Sequence, residues 1–239
     1  MTKQTKSKSK WIEKRGTSHV IRVPLILFIA LILSVIGLTI VLWSAERGED
    51  PRLNVKNAGE FSALLPSIIG LTQSSLDTGN KIQLLENGDE FFPLLLRDIA
   101  AAKESVHVES YIWWKGEICS QLAHAMAAKA KEGVEVRLLI DASGGHKMDK
   151  ELSKLMLDSG VKFVRFHPPT LANLGRLNNR DHRKEMIIDG RIGYLGGFGL
   201  AEEWTGHGQD KDHWRDAGLR VEGPIVNRLQ AAFSENWIE

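Results

Sequence analysis

The chain has 239 residues, of which 43% are hydrophobic and 26% are charged, which is ordinary for a globular protein and excludes a disordered one. The formal net charge of +1 gives no global sign of nucleic-acid binding. A single cysteine, Cys119, excludes an intrachain disulfide, and its place in a helical segment predicts a small, buried apolar side chain.

A basic arm occupies residues 1–22, where seven Lys or Arg residues stand against one acidic residue, Glu13. An uncharged apolar run of 21 residues follows at 23–43, long enough as a helix to cross a hydrocarbon core of about 30 Å. Ser44-Ala45 is a weak match to a signal-peptide cleavage site, so an uncleaved anchor is favoured. The basic excess ahead of the span predicts a cytoplasmic N-terminus, with the remainder on the other side of the membrane.

Residues 44–79 are predicted to be a linker with a short helix from Phe61, and residues 80–239 a globular domain. In that domain, strand-like segments alternate with segments of helical periodicity. The strands are predicted at 81–85, 106–113, 134–140, 161–166, 183–188, 191–195 and 216–221. The helices are predicted at 89–103, 117–131, 150–159 and 225–237. This order predicts an α/β fold, a layered α-β-α sandwich around a mixed, mostly parallel sheet.

Candidate chemistry is concentrated around His182 and Lys184, which share one face if both lie on a strand. An imidazole can attack phosphorus and form a covalent phospho-histidine, and a lysine supplies a fixed positive charge for phosphate oxygens. Arg180 is in register if the strand extends back, which makes it a candidate bidentate clamp for phosphate. Asp189-Gly190, after the strand, is a strong hairpin signal.

The spacing His182-x-Lys184-x4-Asp189, followed by Gly196-Gly197, resembles the signature of the phospholipase D superfamily. Flanking segments resemble its bacterial cardiolipin synthase branch, and the resemblance covers roughly residues 80–239. These segments are Gly116 after Trp113-Trp114, Asp141 with Gly144-Gly145, Gly196-Gly197-Phe198-Gly199 and His213-Trp214-Arg215-Asp216.

The resemblance implies a two-step phosphodiester transfer at a phospholipid in the bacterial inner membrane. One histidine attacks the phosphodiester, a second protonates the leaving oxygen, and an alcohol or water releases the intermediate without a metal or other cofactor. His182 would take one of these two roles, and we favour that of the nucleophile.

The chain departs from this branch in two respects. Enzymes of the branch carry two such motifs, whereas this chain carries one and stops about where a second half would begin. We therefore expect either an N-terminal half or truncated product, or a homodimer that completes a two-histidine site. Many relatives also have Ser and Asn where this chain has Gly197 and Gly199, so only backbone N–H groups of the Gly196-Gly197 segment remain to hold phosphate.

Three carboxylates are further candidates for the site. Asp189 belongs to the motif and is a catalytic candidate, but its odd offset from His182 and its turn position favour a turn-stabilising role. Asp216, on a later strand, is the better candidate to orient the imidazole, as the resemblance also implies. Glu109, on the same strand face as His107, is predicted either to line the substrate site or to form a structural ion pair.

Two other functions stay open at this point. A nuclease with the same machinery is disfavoured by the near-neutral charge and the anchor, so we expect no nucleic-acid partner. The alternative is an inactive, membrane-anchored half that needs a partner copy. The segment 207–213 is rich in His and Asp but lacks the spacing of a tetrahedral metal site, so no metal ligand is predicted.

Overall fold

The structure is a computed structural model that describes residues 24–43, 60–170 and 179–238. The basic arm, residues 44–59 of the predicted linker and residues 171–178 lie outside the described residues. The chain divides into two compact units, residues 1–71 and residues 72–239.

Two apolar helices are described between residues 24 and 72, in the first unit and at its boundary. Helix α1, Pro24–Trp43, has 20 residues and a mean hydropathy of 3.1, so it is long and apolar enough to cross a membrane. Helix α2, Phe61–Thr72, is the predicted short helix and contains Pro66 within its length. Pro66 lies in the second turn, where its missing N–H costs one helical hydrogen bond.

The second unit alternates strands and helices as the periodicity predicts. The strands are β1 Lys81–Glu86, β2 Ser105–Ser110, β3 Glu135–Asp141, β4 Lys162–Phe166, β5 Lys184–Ile188, β6 Ile192–Gly196 and β7 Ala217–Glu222. The helices are α3 Asn87–Ala101, α4 Glu117–Lys131, α5 Lys150–Asp158 and α6 Ile225–Ile238, with a short 3-10 turn at Glu202–Trp204. The predicted strand at 106–113 is three residues too long, because the chain leaves the sheet after Ser110.

Within the described residues, one mixed sheet contains all seven strands in the order β1-β7-β6-β5-β2-β3-β4. The layered, mixed α/β prediction is confirmed, but the expectation of a mostly parallel sheet is wrong. Only the pairs β2–β3 and β3–β4 are parallel, whereas the other four pairings in the described chain are antiparallel. The reason is the Asp189-Gly190 hairpin, which sends β6 back beside β5 and fixes antiparallel neighbours on that half of the sheet.

Helices cover both faces of this sheet, and each face has its own core. The larger core joins the α3 and α4 side chains to β2, β3 and β5 residues such as Val108, Leu138 and Met186. The smaller core lies under α6, where Phe233 and Val226 pack with Leu139, Ile187 and Val221 of the strands. Because side chains alternate along a strand, Lys184 and Met186 point to the larger core and Glu185 and Ile187 to the α6 face.

A buried polar network ties α3 to the antiparallel half of the sheet. The Asp98 carboxylate accepts hydrogen bonds from the Tyr194 hydroxyl at 2.7 Å and from the Arg220 Nε at 2.6 Å. Asp98 and Arg220 are both more than nine-tenths buried, so each charge is compensated by the other. Cys119 is fully buried and donates to the Leu200 carbonyl, which confirms its structural role.

Candidate active site

The site begins with the exposed side chain of His182, which lies two residues before β5 rather than on it. The Lys184 Nζ lies 3.4 Å from both ring nitrogens of His182 and donates to the His182 carbonyl at 2.9 Å. The two side chains therefore meet, as predicted, although only Lys184 belongs to the strand. The pair offers a solvent-accessible imidazole beside a fixed cation.

A tight turn at Asp181 leads the chain into β5 and exposes His182. The Asp181 carboxylate accepts from the Arg183 backbone N–H at 3.0 Å, which forms an Asx turn around the histidine. The Asp181 side chain is 4% exposed, so it faces the interior while His182 faces solvent. The backbone before β5 is therefore held at both sides of the histidine.

Asp141, at the end of β3, is fully buried and joins two segments that border the site. One carboxylate oxygen accepts from the Ser143 and Gly144 backbone N–H groups at 2.8 and 3.0 Å. The other accepts from the Asp181 backbone N–H at 3.1 Å. One carboxylate thus fixes the loop after β3 and the residue before His182.

The Lys184 ammonium is half-buried, and burial lowers its pKa, while the charges of Asp181 and Asp216 oppose that shift. An ammonium that has already lost part of its hydration interacts more strongly with an incoming phosphate oxygen than a fully solvated one. This placement suits Lys184 to charge stabilisation.

Tyr111 contacts both members of the pair, and sequence patterns did not single it out. Its ring centroid lies 4.8 Å from that of His182 and 5.6 Å from the Lys184 Nζ. Tyr111 directly follows β2, and β2 pairs with β5 so that Ser110 lies opposite Lys184. Only this long-range pairing brings the tyrosine to the site, so local periodicity carries no signal for it.

Asp216, the predicted partner of the imidazole, makes other bonds. Its carboxylate accepts from the Trp204 Nε1 at 2.9 Å and from the Ala217 backbone N–H at 2.8 Å. In the described residues no hydrogen bond joins Asp216 to His182. Asp216 acts on the site through its charge at Lys184, so its role as the orienting acid stays a prediction.

Asp189 lies at the far end of β5 from Lys184. Its carboxylate accepts from the backbone N–H groups of Lys103, Glu104 and Ser105 at 2.7–3.1 Å. Asp189 itself has a positive φ of 51°, as the hairpin turn requires. The structure does not bring Asp189 to His182, and its bonds are those of a structural clamp between the hairpin and the start of β2.

Glu109 is fully buried on the α6 face, opposite Glu185 in the β2–β5 pairing. One of its oxygens accepts from the Asn236 Nδ2 at 2.6 Å, and the other has no hydrogen-bond partner in the described residues. Burial and the neighbouring Asp181 raise the pKa of Glu109, and burial also raises that of Glu185. Because Lys184 points to the other face, the structure does not place Glu109 beside it.

The remaining substrate-binding candidates are engaged within the protein. The Arg180 guanidinium lies 3.2 Å from the Ser143 Oγ and 3.5 Å from an Asp141 oxygen, and its residue precedes β5 and so has no strand register. Gly196 ends β6, where a Cβ would lie 2.7 Å from the Gly218 Cα. The Gly197 N–H donates to the Ala217 carbonyl at 3.4 Å. Phosphate binding by these three residues stays a prediction.

Both histidines of the segment 207–213 are paired with acids. His207 lies 3.1 Å from an Asp89 oxygen, and His213 lies 2.7 Å from an Asp210 oxygen. Among residues 24–43, 60–170 and 179–238, no His, Cys, Asp and Glu side chains form a group that could hold a metal ion.

Comparison with known proteins decides the family. Residues 95–237 match the family described as cardiolipin synthase, phospholipase D-like domain. The chain belongs to this family. The resemblance predicted from His182, Lys184 and the flanking segments is thereby confirmed.

Curated relatives of this phospholipase D-like chain are cardiolipin synthases. Cardiolipin synthase 1 of Bacillus cereus is 38% identical over 157 residues, which is 65% of this chain and 31% of the relative. Cardiolipin synthase 2 of Staphylococcus epidermidis is 34% identical over 179 residues, 74% of this chain and 37% of the relative. The chain thus spans about a third of the length of the curated relatives it matches.

Solved structures share the fold of this phospholipase D-like chain. Nuc from Salmonella typhimurium, a phospholipase D family member, has a TM-score of 0.51 at 16% identity, covering 66% of this chain and 94% of Nuc. The phosphatidylserine synthase of Haemophilus influenzae has the same score and identity, covering 66% of this chain and 36% of the synthase. These likenesses show the fold alone.

Proposed function

We propose that the chain is a membrane-anchored phosphatidyltransferase or phosphodiesterase of the cardiolipin synthase and phospholipase D type, with His182 as its nucleophile. The observation that carries the proposal is the exposed His182 imidazole with the Lys184 ammonium 3.4 Å from its ring nitrogens. The family of the chain supports a phospholipid as the substrate.

The proposed reaction has two displacement steps at phosphorus. A His182 ring nitrogen attacks the phosphodiester, a nitrogen–phosphorus bond forms, and the bond from phosphorus to the leaving alcohol oxygen breaks. A second acid supplies the proton for that oxygen. An acceptor alcohol or water then attacks phosphorus, loses its proton to the same group, and releases His182. Lys184 balances the charge on the phosphate oxygens in both steps.

We propose that the second acid is a histidine from another copy of the chain. The sequence contains one His-x-Lys-x4-Asp motif, so a single copy supplies one histidine of this kind. Native mass measurement in detergent is expected to show a dimer, and dimerisation is expected to be required for transfer. A monomer with full activity contradicts this part of the proposal.

We propose that α1 anchors the chain in the bacterial inner membrane, with the N-terminus in the cytoplasm and the catalytic domain outside. Cys119 is buried, so a cysteine introduced by Ser44→Cys is the accessible thiol in a topology test. We expect a membrane-impermeant maleimide to label S44C in spheroplasts. Labelling only after permeabilisation contradicts the orientation.

The decisive experiment uses the full chain in detergent–phospholipid micelles containing phosphatidylglycerol. We expect the wild type to convert the lipid, and we expect His182→Ala to reduce the rate at least ~1,000-fold because the covalent step is lost. His124→Ala is the matched control, since His124 is exposed on α4 and should keep full activity. Full lipid transfer by H182A would overturn the proposal.

A second substrate separates lipid chemistry from nuclease chemistry. The same preparations are incubated with single- and double-stranded DNA at low salt. We expect no His182-dependent cleavage, because the near-neutral chain lacks the charge that backbone binding requires. Salt-sensitive DNA cleavage that disappears in H182A, without lipid conversion, would assign the site to nucleic acid instead.

A further inference from the structure

Two rings and one positive charge meet at the end of β2. The Tyr111 ring lies against the His182 imidazole at 4.8 Å between centroids, with an angle of 49° between the planes. The Lys184 Nζ lies 5.6 Å from the same Tyr111 ring, within cation–π range. The tyrosine therefore contacts each member of the reactive pair while the pair members contact one another.

Tyr111 contacts the pair through its aromatic ring and not through a hydrogen bond of its hydroxyl. Its hydroxyl has no hydrogen-bond partner among the described residues, and its ring is half-buried. His182 is exposed and precedes the strand, so the sheet does not hold its side chain. The Tyr111 ring is thus a fixed aromatic wall for an otherwise exposed imidazole.

The loop after β3 holds Tyr111 in place. A Cβ on Gly144 would lie 1.9 Å from the Tyr111 carbonyl oxygen and 3.0 Å from its Cδ2 atom, so only glycine permits this approach. The Gly144 N–H is fixed by the buried Asp141, whose other oxygen holds the Asp181 N–H beside His182. Asp141 therefore sets the distance between the tyrosine and the histidine.

We propose that Tyr111 is a positioning residue that orients His182 and Lys184 through its aromatic ring, with Gly144 and Asp141 as its support. The assignment rests on the proposed function of His182 for its catalytic consequence. A rotating imidazole seldom points its nitrogen at phosphorus, and misplacement by about 1 Å costs on the order of 100-fold in rate. The ring reduces this freedom by occupying one side of the imidazole.

The test compares Tyr111→Phe with Tyr111→Leu in the full chain. Phe keeps the ring and loses only the hydroxyl, so we expect kcat within about twofold of wild type. Leu keeps apolar bulk without the ring, so we expect kcat to fall ~10–100-fold with KM nearly unchanged. Equal kcat in Y111L and wild type, or a loss in Y111F as large as in Y111L, would overturn the role of the ring.

A second measurement does not depend on activity and separates this proposal from the proposed function. Histidine labelled at Cε1 is followed by NMR in the full chain in micelles, and H182A assigns the His182 signal. We expect its Cε1–H resonance to shift in Y111L, which removes the ring current of Tyr111, and to stay in place in Y111F. An unshifted resonance in Y111L overturns the positioning role even if the wild type converts no lipid.

Gly144→Ala tests the support from the other side. The added methyl group must displace the Tyr111 backbone, so we expect the His182 Cε1–H resonance to shift as in Y111L. Gly70→Ala is the control, since a Cβ there meets nothing within 4 Å and leaves the site untouched. A G144A protein that is folded, by its circular dichroism, and keeps the wild-type His182 resonance contradicts the support role.

Discussion

Three buried carboxyl groups lie close to one another beside strand β5. They belong to Glu109, Asp181 and Glu185. Each is at least nine-tenths buried and has one side-chain oxygen without a hydrogen-bond partner in the described residues. Burial raises the pKa of all three, because the charged form loses hydration that the protein does not replace. Glu109, whose pKa is raised to about 9, therefore keeps its proton at a pH where an exposed carboxyl has lost it.

The first prediction concerns Glu109 and pH. Its pKa is raised in the folded chain, so the folded state keeps a proton that the unfolded state has released. The contribution of Glu109 to stability is therefore fully present below its ordinary pKa of 4.5. It is lost as the pH rises through the pKa of the folded state, about 9. Glutamine at this position stays neutral and can still accept from Asn236. We therefore expect Glu109→Gln to lose at least ~1 kcal/mol less stability than the wild type between pH 5 and pH 9.

Urea unfolding across that pH range measures the effect. Glu151→Gln is the matched control, because Glu151 is exposed on α5 and should leave the pH profile unchanged. If E109Q and wild type lose stability in parallel as the pH rises, Glu109 does not hold the proton.

At the scale of elements, the close approach of β6 and β7 determines what can follow the motif. A Cβ on Gly197 would lie 2.3 Å from one Asp216 carboxylate oxygen and 2.6 Å from the other. The Asp216 carboxylate is held by Trp204 and by its own following N–H. Glycine at position 197 therefore fits the position of this Asp216 side chain.

The second prediction follows from that contact. Gly197→Ser should push the Asp216 carboxylate away from Trp204 and destabilise the domain by ~1–3 kcal/mol. Thermal unfolding gives the stability, and tryptophan fluorescence reports the broken indole bond. In an Asp216→Ala background the clash is absent, so the same serine should cost less. Equal costs in both backgrounds would show that Asp216 is not the obstacle.

Sequence periodicity predicted most elements of the domain because both cores impose it locally. Helix α4 was predicted at its observed bounds, Glu117–Lys131, since its apolar face and the glycine after it are local signals. Strand direction was predicted less well, because it depends on which strands become neighbours. The Asp189-Gly190 hairpin was correctly predicted, yet the antiparallel partners of β7 required the whole topology.

In the candidate site, too, the features set by local sequence were predictable and those set by distant contacts were not. The meeting of His182 and Lys184 follows from a spacing of two residues and was predictable. Tyr111 required the pairing of Ser110 with Lys184, and the bond of Asp216 to Trp204 required a contact across a loop. Motif spacing therefore identifies the candidate pair, whereas the residues that support it depend on contacts between distant segments.

At the scale of the whole molecule, the two units differ in how they bury apolar surface. Every buried core side chain in the described residues lies between Leu85 and Phe233, inside the second unit. Helix α1 carries exposed apolar side chains along its length, as a helix in lipid would. Helix α1 therefore leaves its apolar side chains exposed, whereas the second unit buries its apolar side chains in its own core.

The third prediction is that residues 72–239 form an independent domain. Expressed without residues 1–71, this fragment should stay soluble without detergent and unfold in one cooperative transition, because its core is complete. Circular dichroism and sedimentation in detergent-free buffer measure both properties. The matched control is a fragment that also lacks residues 225–239, which should aggregate because the α6 core face is uncovered.

The pairing of β1 with β7 also determines how late in translation β1 finds its partner strand. Among the described strands, β1 is the first to leave the ribosome, yet its partner, from Ala217 to Glu222, is the last. Until then Ile82 and Leu84 have no neighbouring strand, and the segments already made expose an open sheet edge. Nascent chains of this protein should therefore depend on chaperones for most of translation, and a ribosome that stalls before residue 217 should release an aggregation-prone product.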